Sequence, residues 1–137
     1  MLDLERLPSL LVMEESLAER TALMEALEGH SSYPVYVSVR RAGVLELLRK
    51  QKIELVLLSL RQPYDGSLSL IWRIREAHPE IKILAISGNE PRAAAAEPPS
   101  SSGLDATLRF GADRVLHKPI EAGQLCEAVE ALLAVSR

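Results

Sequence analysis

The sequence lacks the features that mark membrane, secreted and nucleic-acid-binding proteins. Its one cysteine, Cys126, cannot form an internal disulfide, which suits the cytoplasm. No N-terminal segment has the layout of a signal peptide, and no apolar run approaches the ~18 residues that suggest a membrane span. Basic residues form no block, and 16 lysines and arginines against 19 acidic residues give a net charge of −3. We therefore expect a cytoplasmic protein whose main partner is neither nucleic acid nor a membrane.

Motifs of several enzyme classes are missing as well. The sequence has no G-x-G-x-x-G after a strand, no P-loop and no G-x-S-x-G, which argues against dinucleotide enzymes, nucleotide hydrolases and serine hydrolases. Glu14 and Glu15 follow the first predicted strand, where a flavin-binding protein would need a loop rich in glycine and hydroxyl groups. No cysteine or histidine cluster accompanies His117, so no transition-metal site is expected. We expect no enzyme activity and no cofactor.

The sequence does contain a regular alternation of strand and helix patterns. Its centre is the run from Leu55 to Leu58, which is apolar on both faces and typical of a strand buried within a parallel sheet. The other strands are predicted at Leu10–Met13, Tyr33–Val39, Ile81–Ile86 and Arg114–His117. Helices are predicted from Ser16 to Gly29 and at Ala42–Arg49, Ser67–Ala77, Leu104–Phe110 and Ala122–Val135. This alternation predicts a single α/β domain with a parallel sheet that helices cover on both faces.

The spacing of side chains predicts how several helices are capped and packed. Ser16 is expected to cap the first helix, and Glu19 three residues later completes a capping-box pattern. The face of this helix predicted to pack inward comprises Leu17, Leu23, Met24 and Leu27. Trp72 is interpreted as a packing residue, and Cys126 as a small buried apolar residue.

Polar residues stand at the carboxyl ends of four predicted strands. These residues are Glu14 and Glu15 after the first strand, Ser59 at the third, Ser87 at the fourth, and Lys118 and Pro119 after the fifth. Because ligands of open α/β sheets bind beyond the carboxyl ends of the strands, we expect these residues to form one pocket. Asp65 lies in the loop that follows Ser59 and is interpreted as a turn former.

This constellation resembles the response regulator receiver domain of two-component signalling, over about Leu10 to Leu133. The most specific segments are ELVLLSLRQPYDG, ILAISG and GADRVLHKP. The resemblance implies a flavodoxin-like, doubly wound sheet of five parallel strands in the order 2-1-3-4-5. It also implies a single receiver-like domain over residues 1–137, with a core of about 10–133 and an irregular loop over 88–103.

In that family an aspartate that ends the third strand accepts a phosphoryl group from a histidine kinase, and an acidic pair helps hold magnesium. Here Ser59 stands at the acceptor position, and a neutral hydroxyl needs a general base and would form a stable ester. Glu14 and Glu15 replace the acidic pair with longer side chains, which suit the octahedral geometry of magnesium poorly. We therefore expect no metal site, and weak residual Mg²⁺ binding at these glutamates is left open.

The remaining family positions are partly retained. Ser87 and Lys118 stand where a hydroxyl and a lysine contact the phosphoryl oxygens, and the resemblance implies a cis bond before Pro119. Val115 replaces the aromatic residue that moves inward when the family is activated. Lys118 is also suited to pair with one of the two glutamates and to fill the space that the missing aspartate leaves.

The sequence thus predicts an atypical receiver, a pseudo-receiver, that acts by phosphorylation-independent protein–protein interaction. The alternative is a receiver that is still phosphorylated, at Ser59 or Asp65. The expected partner is a signalling protein, such as a histidine kinase or an output protein, bound through a surface that spans about Leu104 to Leu133. We expect a monomer or weak homodimer, and the sequence is compatible with a complete protein or with a domain of a longer one.

Overall fold

The chain folds as an α/β protein in a computed structural model that describes residues 7–29, 33–60, 67–87 and 107–134. The strands are β1 (Leu10–Met13), β2 (Val35–Ser38), β3 (Leu55–Leu60), β4 (Lys82–Ser87) and β5 (Arg114–His117). The helices are α1 (Leu17–Glu28), α2 (Ala42–Lys50), α3 (Ser67–Ala77), α4 (residues 107–110) and α5 (Ala122–Ala134). The strands form one parallel sheet in the order β2-β1-β3-β4-β5, which confirms the predicted fold.

Strand β3 lies at the centre of the sheet because both of its faces are apolar. It pairs with β1 on one side and with β4 on the other, and all six of its residues are buried. Leu55 and Leu57 pack into one core cluster, whereas Val56, Leu58 and Leu60 pack into the other. This alternation follows from the two-residue period of a strand and divides the core into two layers.

Each layer of the core is closed by helices. The cluster on one face contains Val44 and Leu48 of α2 with Ile71 and Ile74 of α3. The cluster on the other face contains residues of α1 and α5, namely Leu23, Leu27, Leu125, Ala128 and Val129. We call these the α2/α3 face and the α1/α5 face of the sheet. The predicted helices therefore cover the sheet on both sides, as the alternating pattern requires.

Two side chains that were expected to pack within the protein are exposed instead. Leu17 is 69% exposed, because it is the first residue of α1 and precedes the first buried residue of that helix, Leu23, by more than one turn. Trp72 is 52% exposed, because it directly follows the buried Ile71 and is rotated away from the sheet. Cys126 is buried as predicted, and its thiol donates to the carbonyl oxygen of Ala26 at 3.4 Å.

Some predictions fall on residues that the structure does not describe. Asp65 lies outside the described residues, and so does the whole irregular stretch over 88–103. Of the helix predicted at Leu104–Phe110, residues 107–110 are described and are helical. Within the described ranges, no helix has the length and apolarity needed to cross a bilayer.

Candidate functional site

The candidate site lies at the carboxyl edge of the sheet, where β1, β3 and β5 end. Glu14 follows β1, Ser59 is the penultimate residue of β3, and Lys118 follows β5. Each of the three comes two residues after a core residue of the α1/α5 face: Val12, Leu57 and Leu116. Because side chains alternate between faces along a strand, the three polar side chains converge on that face of the sheet.

Lys118 is the centre of this cluster. Its Nζ lies 3.2 Å from Oε1 of Glu14 and 3.2 Å from Oγ of Ser59, and it also donates to Oε1 of Glu19. The lysine side chain is 16% exposed. An ammonium group has three donors and no acceptor, so these three oxygens match its full donor capacity.

Glu14 is held on both of its carboxylate oxygens. Oε1 accepts from Lys118, and Oε2 accepts from the main-chain N–H of Ser16 at 2.9 Å. Burial is the largest influence on the pKa of Glu14 and raises it, but the hydrogen bonds from Ser59 and Ser16 and the charge of Lys118 together lower that pKa below its ordinary value of 4.5. Glu14 is therefore a buried carboxylate that is ionised at neutral pH.

The start of α1 differs from the predicted capping box and adds a residue to the site. Oγ of Ser16 does accept from the N–H of Glu19, at 3.3 Å, as the pattern predicts. The N–H of Ser16, however, is bound by Glu14, and the carboxylate of Glu19 contacts Lys118. Glu19 was not predicted as a site residue. The sequence feature that could have indicated it is its position in the first turn of the helix that follows β1.

The acidic residues at this edge do not fit magnesium in this arrangement. Both oxygens of Glu14 are already engaged, and magnesium demands near-ideal octahedral coordination by oxygen. The other member of the pair, Glu15, is exposed, and its main-chain carbonyl accepts from Arg20 at 3.4 Å. Among the residues that the structure describes, no group of three or more His, Cys, Asp or Glu side chains could hold a metal ion. Among the described residues, Glu14 pairs instead with the ammonium of Lys118.

The other predicted positions surround the cluster without joining its side-chain contacts. Ser87 is buried at the end of β4, and its main-chain carbonyl accepts the N–H of Lys118 at 3.1 Å. Val115 is partly buried and packs against the core of the α2/α3 face. The peptide bond between Lys118 and Pro119 is cis. His117 is exposed on β5.

Comparisons with known proteins agree with this fold. The profile of the response regulator receiver domain matches residues 10–130. The TorCAD operon transcriptional regulatory protein TorR of Escherichia coli (strain K12) is 26% identical over 129 residues, which are 93% of this chain and 51% of that protein. This chain therefore spans about half the length of that curated relative.

Solved structures show the same similarity. A response regulator from Thermotoga maritima gives a TM-score of 0.77 at 26% identity, over 94% of this chain and 99% of that one. The signal receiver domain of an HD domain-containing protein from Pseudomonas fluorescens Pf-5 gives a TM-score of 0.79 at 20% identity, over 94% and 96% of the two chains. At that level of identity, the second similarity shows the fold alone.

Proposed function

This chain belongs to the response regulator receiver domain family of two-component signalling, and we propose that it acts by binding a protein partner without being phosphorylated. In this proposal it is a pseudo-receiver: a cytoplasmic binding module that carries out no catalysis. The observation that supports the proposal best is the contact of Lys118 with Ser59, a hydroxyl at the position where the family places its phosphoacceptor aspartate.

The chemistry of Ser59 argues against phosphoryl transfer. A serine hydroxyl is neutral and becomes a good nucleophile only when a base removes its proton. Glu14 accepts a hydrogen bond from Ser59 and is therefore the base within reach. A general base works best when its pKa lies near the operating pH, whereas the pKa of Glu14 is lowered below 4.5. Glu14 is thus well placed for this role, but it is a weaker base than an ordinary glutamate.

The charges of the site support a pocket that is held in a single conformational state. In the family the lysine contacts the oxygens of a transferred phosphoryl group, whereas here two carboxylates, Glu14 and Glu19, contact Lys118. These two negative charges would also repel an approaching phosphoryl anion. We propose that the partner recognises the pocket in this permanent arrangement of side chains. The signal is then the presence of the protein or of its partner.

One observation favours the alternative of a phosphorylated receiver. Ser59 is the strongest of the influences that lower the pKa of Glu14, and a hydroxyl beside a carboxylate is the pairing that base-assisted attack would need. Asp65, the other alternative acceptor, lies outside the described residues. Both alternatives predict a covalent phosphoryl group on the chain, so a single measurement separates them from the proposal.

The test is to incubate the protein with acetyl phosphate and Mg²⁺ and to measure its intact mass. We expect no phosphoryl adduct, while a receiver domain that has an aspartate at the acceptor position serves as the positive control for the reagents. A stoichiometric adduct on this chain would overturn the proposal. The variants Ser59→Ala and Asp65→Ala would then show which of the two residues carries the phosphoryl group.

The partner is proposed to be a signalling protein, either a histidine kinase or an output protein. By resemblance, the contact surface spans about Leu104 to Leu133, which includes α4, β5 and α5 among the described elements. The chain itself is proposed to be a monomer or weak homodimer. Analytical ultracentrifugation over a range of concentrations measures this state directly.

A further inference from the structure

The three acceptors around Lys118 differ in their exposure to solvent. Glu14 is 4% exposed and Ser59 is 7% exposed, so both lie inside the protein. The side chain of Glu19, in contrast, is 50% exposed. Since all three groups contact the same Nζ atom, Glu19 is the acceptor on the solvent side of the ammonium group.

The two buried acceptors are held in place by the edge of the sheet. Glu14 directly follows β1, and its second carboxylate oxygen accepts the N–H of Ser16 at 2.9 Å. Ser59 belongs to β3, where the strand register pairs it with Ile86 of β4. An ammonium group has three donors, and the donor that these two fixed groups leave is the one that Glu19 takes.

Glu19 is brought to Lys118 by the start of α1. Its main-chain N–H donates to Oγ of Ser16 at 3.3 Å, which fixes its place in the first turn of the helix. An ion pair that is half open to water contributes little to stability, so the contact can be removed without unfolding the protein. A carboxylate attached to the same chain nevertheless has a high effective concentration, so Glu19 outcompetes dilute anions for the ammonium group.

The charges around Lys118 show what the removal of Glu19 would do. The cluster contains one cation and two carboxylates, so without Glu19 its positive and negative charges would be equal in number. Arg20 lies at the same turn, because it donates to the main-chain carbonyls of Glu14 and Glu15 at 2.8 and 3.4 Å. Without Glu19, an oxyanion would therefore meet a free N–H donor and one repelling charge fewer.

We propose that Glu19 is an autoinhibitory residue, whose carboxylate covers the solvent side of Lys118 and keeps oxyanions in solution from binding to the ammonium group. The inhibition is part of the fold, because the carboxylate comes from α1 and the ammonium from the end of β5, 99 residues further along the chain. This inference rests on the proposed function, since it names the residue that holds the pocket closed in a receiver that is not phosphorylated.

The test compares the binding of inorganic phosphate to the unchanged protein and to the Glu19→Ala variant. Phosphate is added at neutral pH, with chloride keeping the ionic strength constant, and the main-chain amide signals of Ser59 and Lys118 are followed by NMR. We expect a saturable shift of these signals in Glu19→Ala. The unchanged protein should bind phosphate at least about tenfold more weakly, because Glu19 competes for the same donor.

Glu25→Ala is the matched control for this comparison. Glu25 is an exposed glutamate on the same helix, so its substitution changes the net charge of the protein and the composition of α1 in the same way. This variant should bind phosphate like the unchanged protein. Alanine is the best helix former, so both variants should fold, and circular dichroism and thermal unfolding verify this.

Three results would overturn the inference. These are the absence of a saturable shift in Glu19→Ala, equal phosphate affinity of the unchanged protein, and an equal gain of affinity in Glu25→Ala. The titration follows reversible binding, whereas the intact-mass measurement detects a covalent phosphoryl group. Failure of the autoinhibitory role is therefore distinguishable from failure of the phosphorylation-independent mechanism.

Discussion

A cationic side chain contacts neighbouring groups at each end of strand β5, and the two side chains contact different kinds of acceptor. At its start, Arg75 donates to the main-chain carbonyls of Pro79, Ile81 and Gly111 and to the carboxylate of Asp113, at distances of 2.7 to 3.2 Å. At its end, Lys118 donates to two carboxylates and a hydroxyl. The first cation is therefore directed mainly at the backbone, whereas the second is directed at side chains.

The contacts of Arg75 are therefore mainly structural, whereas the contacts of Lys118 can be changed by pH or by substitution. Three of the four groups that Arg75 contacts are main-chain carbonyls, which are not protonated, so most of the contacts that join α3 to the turn before β5 do not depend on pH. The partners of Lys118 respond to protonation and substitution, and they stand at the sheet edge where ligands of this fold class bind. The two clusters thus respond differently to pH and substitution because their cations contact different groups.

Breaking the Arg75 cluster should have the largest effect on stability. Arg75→Ala leaves the carboxylate of Asp113, whose side chain is 10% exposed, without its guanidinium partner, and it removes donors from three carbonyl groups. We expect a loss of about 3–5 kcal/mol in the free energy of unfolding, measured by urea denaturation. Arg73→Ala, two residues away and exposed, should change it by less than about 0.5 kcal/mol. Equal effects of the two substitutions would contradict the claim that the contacts of Arg75 stabilise the fold.

Removing the buried charge beside Lys118 should have a smaller effect, and one that depends on pH. Glu14→Gln should cost about 1.5–3 kcal/mol at pH 7, the range for a hydrogen bond to a charged group, because Glu19 still contacts the lysine. The exposed Glu15→Gln serves as the control.

The sign of the pH dependence follows from the lowered pKa of Glu14. Burial opposes ionisation of this group, but its hydrogen bonds and Lys118 outweigh burial, so the folded state binds its proton less readily than the unfolded state. The stabilisation is therefore complete above pH 4.5 and is lost as the pH falls below that value towards the folded pKa. Urea denaturation between pH 3 and 7 should show this loss in the unchanged protein and a smaller one in Glu14→Gln, and identical profiles would contradict the assignment.

Substitution of the hydroxyl should have the smallest effect of the three. Ser59→Ala removes one hydrogen bond to Lys118 and one to Glu14 and should cost about 1 kcal/mol. The Ser59 hydrogen bond is the strongest of the influences that lower the pKa of Glu14, so that pKa should rise in the variant. NMR titration of the Glu14 carboxyl group measures this shift, and an unchanged or lower pKa would show that the hydroxyl does not stabilise the carboxylate.

The sheet could be predicted because its signals are local. The apolar run of β3 and the regular alternation with helices are properties of short segments, and the fold places these segments where the pattern indicates. The exposure of Leu17 and Trp72 was not predicted: Leu17 has the spacing of the buried face but is the first residue of α1, and Trp72 lies one step around α3 from the buried Ile71.

The position of the candidate site could be predicted from the sequence, but its side-chain contacts could be predicted only in part. The ends of the strands place Glu14, Ser59 and Lys118 together, and the pairing of the lysine with a glutamate was among the sequence-based alternatives. Glu19 could not be assigned, because its capping-box position indicates a partner in the same helical turn, whereas its actual partner lies 99 residues further along the chain. The contacts of Arg75 could not be predicted from the sequence, because most of its acceptors are main-chain carbonyls, which every residue has.

The outer strands of the sheet, β2 and β5, have only four residues each. Edges this short expose few main-chain donors and acceptors to the sheet of another molecule, so edge-to-edge polymerisation is disfavoured even at high concentration. We therefore expect self-association of this chain to use side chains, which selective substitution can remove without disturbing the sheet.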